Sequence, residues 1–218
     1  MCAPVRQSAS ITVAARPPSS QARASYQCLV CRRLEGAGRL CHLEARQLRW
    51  GLIPYWYKDI KVGFANINAK AEGIENKPAF RKAFERRRCL VPVDNFYEWR
   101  KTATGKQPYA LALADRGIMA LAGLWENWHS PAGEWVRSFA IVTTVPNQLC
   151  AEIHNRMPVI LKPDAWPAWL GEEPADEPQL KALLAPYPAD DMICWPVSAR
   201  VGNVRNNDSS LIEPVAAA

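Results

Sequence analysis

The residue of this chain with the most distinctive reactivity is the cysteine at position 2. Once Met1 is removed, Cys2 carries a free α-amine and a thiol on adjacent carbons. Such a pair captures an aldehyde, because the amine forms an imine and the thiol then closes a thiazolidine ring. A peptide α-amine has a pKa of about 7.7–8.0, so a useful fraction is neutral near physiological pH. Cys2 is therefore a candidate nucleophile, and the competing interpretation is that a cysteine at this position is incidental.

Three further side chains could move protons or orient a substrate. His154 is one of three histidines, and it precedes Asn155 and Arg156 at the end of a predicted helix, where an imidazole can act as a proton shuttle. Glu98 lies among aromatic residues on a predicted strand, where burial of a carboxylate is costly unless it is paired. Asn68 can orient an amine or a hydroxyl. The structural alternatives are a packed polar residue for His154, an edge-strand position for Glu98 and a turn for Asn68.

Basic and aromatic residues favour contacts with a polyanion. The net charge is +6, although many basic proteins bind no nucleic acid. Trp56 and Tyr57 could stack on unpaired bases, but most of the nine tryptophans must belong to the core. Five basic residues on or after one predicted helix form either a solvated face or a phosphate-binding face. They are Arg81, Lys82, Arg86, Arg87 and Arg88.

The cysteine spacing does not predict a metal site. Cys28 and Cys31 are followed by Cys41 and His42, but this second half lacks a paired spacing. Adjacent Cys and His residues cannot easily ligate one tetrahedral ion. We therefore expect neither a bound metal nor another cofactor.

Cysteine usage and hydropathy also bear on the compartment. Seven scattered cysteines argue against a secreted disulfide framework and favour a reducing environment. No run approaches the roughly 20 apolar residues of a membrane span, and no apolar signal-peptide core follows Met1. We predict a cytoplasmic, nucleoid-associated protein with no membrane partner. The acid-free segment 1–34 leaves an organellar transit peptide as an alternative.

The elements that must position these residues are mainly strands. Apolar runs predict strands over residues 89–93, 96–99, 109–114, 118–124, 139–145, 157–161 and 192–197. Short helices are predicted over residues 78–88, 148–153, 164–170 and 179–184. Because strands predominate without regular strand–helix alternation, we predict a single α+β domain on an antiparallel, barrel-like β-sheet with short flanking helices. Residues 3–48 show no sustained period, so we divide the chain into a divergent N-terminal segment (1–48), which carries the candidate nucleophile, and a domain body (49–218).

Several short segments, each of modest specificity alone, form a distinctive pattern in the domain body. They are 50–54 (Trp-Gly-Leu-Ile-Pro), 67–72 (Ile-Asn-Ala-Lys-Ala-Glu), 88–92 (Arg-Cys-Leu-Val-Pro), 96–99 (Phe-Tyr-Glu-Trp), 139–144 (Phe-Ala-Ile-Val-Thr-Thr), 153–158 (Ile-His-Asn-Arg-Met-Pro) and 201–206 (Val-Gly-Asn-Val-Arg-Asn). Together and in this order they resemble the SRAP family, the SOS-response-associated peptidases that act as abasic-site DNA–protein crosslinkers.

The resemblance implies a catalytic role for four residues. Cys2 would be the crosslinking nucleophile after loss of Met1. Asn68 and Glu98 would position and tune its amine, and His154 would handle protons on the abasic sugar. The peptidase name also implies that the protein removes its own Met1, although ordinary methionine aminopeptidases accept the same site.

The resemblance also implies a path for single-stranded DNA containing abasic sites, which is the expected partner of a monomeric protein. Trp56, Tyr57, Lys70 and Arg156 match positions that line this path. Lys70 replaces the arginine expected there, so it keeps the charge but loses the two-pronged phosphate contact.

The start of the chain departs from the family pattern. The family opens Met-Cys-Gly-Arg and continues to an Asn-Val-Ala-Pro-like loop, whereas this chain opens Met-Cys-Ala-Pro-Val-Arg and shows no such loop before Trp50. One hypothesis is a reading-frame disturbance between Cys2 and about Leu48. Comparison of the alternative frames of the coding DNA would test it.

Two other function classes stay open. An N-terminal-cysteine amidohydrolase would use the Cys2 thiol on an acyl group and would need an oxyanion hole. A non-catalytic single-stranded-DNA-binding protein, inactivated by its altered N-terminus, would keep the basic and aromatic surface without the chemistry.

Overall fold

The computed structural model of the protein describes residues 12–13, 27–33, 43–103 and 105–216, with side chains from Leu48 onward. The strands in this part are β1 (Thr12–Val13), β2 (Gln27–Arg33), β3 (Leu43–Trp50), β4 (Asn68–Lys70), β5 (Arg88–Val93), β6 (Asn95–Thr102), β7 (Gly105–Leu113), β8 (Met119–His129), β9 (Trp135–Thr144), β10 (Met157–Pro158) and β11 (Met192–Pro196). The α-helices are α1 (Arg81–Arg86), α2 (Gln148–Ala151), α3 (Trp166–Leu170) and α4 (Glu177–Ala182). Strands therefore predominate, as the apolar runs predict.

The described strands form two sheets. The smaller has the order β1-β6-β7-β11. In the larger, β9, β3, β2, β5 and β8 pair in succession, β8 pairs again with β9, and β4 and β10 add to β9. This curled sheet confirms the predicted α+β, barrel-like class. The sheets are mixed rather than purely antiparallel, because β1–β6, β3–β9 and β4–β9 are parallel pairs.

Side chains of β9 alternate between two apolar layers. Phe139 and Ile141 belong to the core between the two sheets, whereas Ala140 and Val142 belong to the layer covered by α1, α3 and α4. Successive residues of a strand point to opposite faces, so a strand covered on both sides is apolar throughout. This arrangement explains why the sequence shows continuous apolar runs rather than alternation.

Three strands, β1, β2 and β3, begin before residue 48, where the sequence pattern predicts no regular element. β2 and β3 pair antiparallel from Gln27–Arg49 to Arg33–Leu43. β3 continues past residue 48 and pairs with β9 through Arg49 and Trp50. Strand propensity depends strongly on the neighbouring strand, so pairing with the larger sheet orders a segment whose local pattern is weak.

A close approach between Gly51 and Gly63 forms the base of the loop that carries Trp56 and Tyr57. Gly51 has a φ of 108°, and a Cβ at this position would lie 2.5 Å from the Gly63 carbonyl oxygen. A Cβ on Gly63 would lie 2.6 Å from the Gly51 carbonyl oxygen. Both positions therefore require glycine.

Gly51→Ala is expected to lower the free energy of unfolding by about 3 kcal/mol or more, because backbone strain and a clash act together. Gly133→Ala is a matched control, since Gly133 also has a positive φ of 87° but no atom lies within 4 Å of its ideal Cβ. That control should lose only about 1 kcal/mol. Urea unfolding measures both losses, and equal values would contradict the importance of the close approach.

Candidate active site

A cleft of about 180 Å³ lies where the two sheets meet, and it brings together five of the eight predicted site residues. These are Asn68, Lys70, Glu98, His154 and Arg156. The apolar part of its lining comprises Trp50, Phe96, Leu121, Ile141, Met157 and Pro158. A few polar groups converging on an apolar surface are typical of a ligand-binding or catalytic site.

The short strand β4 carries Asn68 and Lys70 into the cleft. Its parallel pairing with β9 places Asn68 opposite Ile141 and Lys70 opposite Thr143. Strand alternation buries the intervening Ala69 and leaves Asn68 and Lys70 exposed on one face. Asn68 thus lies in a strand and not in the turn that was its structural alternative.

Glu98 enters the cleft from the other sheet, on β6. Only 16% of its side chain is exposed. Burial raises the pKa of Glu98 to about 7, while the charge of His154 and a backbone hydrogen bond at Trp99 oppose that rise. A carboxyl group with this pKa can hold or release a proton at physiological pH, which suits general acid–base catalysis.

The end of helix α2 positions His154. The Asn147 side chain caps this helix by accepting a hydrogen bond from the Cys150 backbone N–H at 2.9 Å. The His154 backbone N–H then donates to the Cys150 carbonyl at 2.8 Å. Its Nδ1 lies 3.7 Å from Oε2 of Glu98. The fold therefore places an imidazole beside a largely buried carboxyl group, an arrangement that can deliver and remove protons at a bound substrate.

The raised pKa of Glu98 predicts a pH-dependent stability. In the folded protein the Glu98 carboxyl keeps its proton up to about pH 7, whereas in the unfolded chain it loses the proton near the ordinary pKa of 4.5. Because the folded state binds the extra proton, the free energy of unfolding should fall as the pH rises from about 4.5 to 7 and then level off. Glu98→Gln should remove this decline, so that its free energy of unfolding exceeds that of the wild type by about 3 kcal/mol at pH 8 and matches it near pH 4.5. Urea unfolding across this range measures the difference, and a pH-independent difference would contradict the assignment.

Arg156 borders the cleft in a fixed orientation. Its terminal nitrogens donate to both oxygens of Glu72 at 2.8 and 2.9 Å, and its Nε lies 3.3 Å from Oγ1 of Thr143. This pairing keeps the pKa of Glu72 below its ordinary value. The sequence pattern does not predict Glu72 or Thr143 as partners of Arg156, because Glu72 is 84 positions from Arg156 and no local pattern connects them.

Trp56 and Tyr57 lie outside the cleft, in the loop after β3. Their side chains are exposed and their ring centroids are 5.3 Å apart. The Tyr57 carbonyl accepts a hydrogen bond from Nε1 of Trp128 at 2.6 Å, which ties the loop to β8. Tyr55 and Phe64 are exposed in the same region. These rings are suited to stacking on bases, and their contact with DNA stays a prediction.

Most basic residues of the predicted phosphate-binding helix have protein partners. Lys82 and Arg86 pair with Glu85 at 2.9 and 3.0 Å. Arg87 pairs with the buried Glu126 at 2.6 Å. The guanidinium of Arg88 donates to the backbone carbonyls of Phe84, Glu85 and Trp169. This helix therefore does not present a row of unpaired cations, and the structure favours a structural role for it.

The cysteine near Glu98 is not an alternative nucleophile. Burial raises the pKa of Cys150 to about 12, and the charges of Glu98 and Cys194 contribute to the rise. A thiol with this pKa stays protonated and unreactive at neutral pH. The predicted nucleophile Cys2 lies outside the described residues.

The other sequence-based expectations concern metals and membranes. Cys41 and His42 of the dismissed zinc pattern lie outside the described residues. Within residues 12–13, 27–33, 43–103 and 105–216, no group of three or more His, Cys, Asp or Glu residues could hold a metal ion. No helix in the same part of the chain has the length and apolarity to cross a membrane.

Comparison with known proteins identifies relatives of this chain. The family model described as SOS response associated peptidase (SRAP) matches residues 6–204. The abasic site processing protein YoqW of Bacillus subtilis is 45% identical over 168 residues, which are 77% of this chain and 75% of YoqW. The abasic site processing protein HMCES of Gallus gallus is 30% identical over 192 residues, covering 77% of this chain and 56% of HMCES. The family match begins well before Leu48 and so includes most of the segment in which the sequence analysis finds no family motif.

Crystal structures support the same fold. A protein from Bacteroides thetaiotaomicron aligns with a TM-score of 0.74 at 28% identity, over 79% of this chain and 77% of that protein. A protein from Bordetella bronchiseptica aligns with a TM-score of 0.68 at 30% identity, over 84% of this chain and 92% of that protein.

Proposed function

We propose that this chain, which belongs to the SOS response associated peptidase (SRAP) family, captures abasic sites in single-stranded DNA as a covalent adduct. Abasic site processing is the activity named for its relatives in Bacillus subtilis and Gallus gallus. The observation that carries the proposal is the largely buried Glu98 carboxyl 3.7 Å from His154, in a cleft that also contains Asn68. Three separate elements thus supply the three groups that the reaction needs beside the nucleophile.

The proposed reaction begins with opening of the abasic sugar. His154 moves a proton from the anomeric hydroxyl to the ring oxygen, which exposes the aldehyde at C1′. The neutral amine of Cys2, oriented by Asn68, attacks this carbon. Glu98 relays two protons in succession from the nitrogen to the former carbonyl oxygen, so that a carbinolamine forms first, the oxygen then leaves as water, and an imine remains.

Ring closure completes the adduct. The Cys2 sulfur adds to the imine carbon, and the nitrogen takes up the proton that the thiol released. One aldehyde and one aminothiol therefore join with loss of one water. The resulting thiazolidine holds the DNA through C1′ and shields the strand from breakage at the lesion.

The DNA path follows from the charges and rings around the cleft. Lys70 and Arg156 lie at the cleft and are proposed to contact phosphates. Trp56 and Tyr57 are proposed to stack on bases that flank the lesion.

Cys2 and Glu98 are also proposed to remove Met1. Measurement of the intact mass of protein made in cells without methionine aminopeptidase activity tests that step.

A denaturing gel tests the covalent step. The mature protein is mixed with a single strand that contains one abasic site, with an undamaged strand, and with a strand that contains a tetrahydrofuran analogue without an aldehyde. A gel-stable adduct is expected only on the first strand, with a mass equal to the sum of the reactants less one water.

If no adduct forms, two further measurements distinguish the alternative functions. No adduct with correctly processed protein would overturn the proposal. Salt-sensitive DNA binding alone would then indicate a non-catalytic single-strand binder. Hydrolysis of glutamine or a model amide without an adduct would indicate an N-terminal-cysteine amidohydrolase.

A further inference from the structure

Arg156 at the rim of the cleft has most of its donors engaged. Its Nη1 and Nη2 donate to the two oxygens of Glu72, and its Nε and Nη2 also reach the hydroxyl and carbonyl of Thr143. The arginine side chain is 19% exposed, whereas that of Glu72 is 53% exposed. Thr143 therefore anchors the guanidinium to β9, and Glu72 is the partner nearer to solvent.

Glu72 uses two donors of Arg156 that a phosphate could also use. Carboxylates and phosphates both accept two parallel N–H hydrogen bonds from a guanidinium group. Hydrogen bonding with Arg156 lowers the pKa of Glu72, so this group is ionised at neutral pH. A DNA phosphate and Glu72 would thus compete for the same two donors.

The surroundings would attract a nucleic-acid backbone if Glu72 were not there. Lys77 donates to the Lys70 carbonyl at 2.8 Å. Burial lowers the pKa of Lys77, the charges of Glu72 and Glu75 oppose this shift, and the positive charges of Lys70 and Arg156 add to it. Glu72 is therefore a carboxylate within a cluster of cations that favours anions.

The ion pair of Glu72 with Arg156 is also suited to replacement of the carboxylate by a phosphate. Glu72 lies just after β4, in the turn before Gly73, which has a φ of 66°. Because the Glu72 carboxylate is half-exposed, water screens the ion pair, and its net contribution to stability is modest even with two hydrogen bonds. A phosphate can therefore replace Glu72 while Thr143 continues to hold Arg156.

We propose that Glu72 is an internal competitor of DNA at Arg156, so that single-stranded DNA binds by exchanging one of its phosphates for this carboxylate. The inference rests on the proposed function for the identity of the ligand. Competition weakens the binding of damaged and undamaged strands alike, but only a strand with an aldehyde becomes covalently attached. Glu72 thus promotes release from undamaged DNA and makes retention depend on the lesion.

Fluorescence anisotropy with an undamaged oligothymidine, over a range of salt concentrations, tests the competition. Glu72→Gln should bind about two- to fivefold more tightly than the wild type at low salt, which corresponds to the strength of one exposed ion pair. In the wild type, the displaced carboxylate takes up a cation when DNA binds. The variant should therefore show a steeper fall of log K with log salt, by up to about 0.7.

Glu75→Gln is the matched control. Glu75 lies three residues further on and pairs with Lys181 at 2.6 Å instead of with Arg156. Its replacement changes the net charge by the same amount, yet DNA affinity should stay at the wild-type value. The double variant Glu72→Gln/Arg156→Gln should lose the gain, because no guanidinium is left for the phosphate.

Three results would overturn the inference. They are an equal gain in Glu75→Gln, a gain that persists in the double variant, and an unchanged or lower affinity in Glu72→Gln. Lower affinity would mean that Glu72 only positions Arg156. This comparison uses undamaged DNA, so it decides the competition even if the wild type forms no adduct on abasic DNA, a result that would contradict the proposed function alone.

Discussion

Glu98→Gln is expected to slow adduct formation on an abasic single strand by about 10²–10⁴-fold, the range typical for loss of a general acid–base group. Glutamine keeps the size of the side chain and its hydrogen-bonding capacity, but it cannot take up or release a proton. The loss should appear in the limiting rate at saturating protein and not in DNA affinity, because the Glu98 side chain is largely buried beside His154. Single-turnover gel assays and anisotropy measure the two quantities separately.

The pH profile distinguishes catalysis by Glu98 from a purely structural role. The Glu98 pKa of about 7 predicts one step in the wild-type rate, and the Cys2 amine predicts a second at about 7.7–8.0. The rate should rise with pH through both steps, since the ionised carboxylate and the neutral amine are the reactive forms. Glu98→Gln should keep only the amine step.

Glu152→Gln provides the control for that substitution. Glu152 is exposed and lies two residues before His154, outside the cleft. The rate of adduct formation by this variant should stay within about twofold of the wild-type rate, because most surface substitutions have small effects. A wild-type rate in Glu98→Gln would remove Glu98 from the proposed mechanism.

Cys2→Ala is expected to abolish the gel-stable adduct but to retain an intermediate that borohydride can trap. Alanine leaves the α-amine in place after Met1 is removed, so an imine can still form at C1′. Without the thiol the ring cannot close, and the imine hydrolyses when the protein is denatured. Gels run with and without borohydride measure the two species.

Two further proteins serve as controls for the Cys2→Ala experiment. Protein that retains Met1 should form no gel-stable adduct, because its Cys2 nitrogen is then an amide and no free amine lies beside the thiol on the same residue. Cys194→Ser removes a half-buried thiol from β11 and should leave the adduct unchanged. A gel-stable adduct of Cys2→Ala without borohydride would contradict thiazolidine formation.

Strand prediction succeeds where both faces of a strand are covered. In β7, Tyr109 and Leu111 pack in the core between the sheets, and Ala110 and Ala112 pack in the core on the opposite side of the smaller sheet. The resulting apolar run is too short for most helices and too apolar for a loop. Its assignment therefore needs no knowledge of the partner strands.

Element ends are less predictable because they depend on tertiary partners. The helix predicted over residues 78–88 is shorter in the structure, where α1 ends at Arg86. The Arg87 carbonyl accepts a hydrogen bond from the Trp125 backbone N–H at 2.9 Å, and Arg88 pairs with Leu124 in the sheet. A strand distant in sequence thus ends the helix, and local propensity contains no information about that strand.

Residue types and their order along the chain were enough to identify the reactive groups and the family motifs around them. The convergence of Glu98, His154 and Asn68 on one cleft, and the pairing of Arg156 with Glu72, became visible only in the folded protein. Periodicity and residue type are local properties, so they predict the strands that carry these side chains. The pKa of Glu98 and the pairing of Arg156 depend on desolvation and on contacts between distant strands, which exist only after the two sheets have packed together.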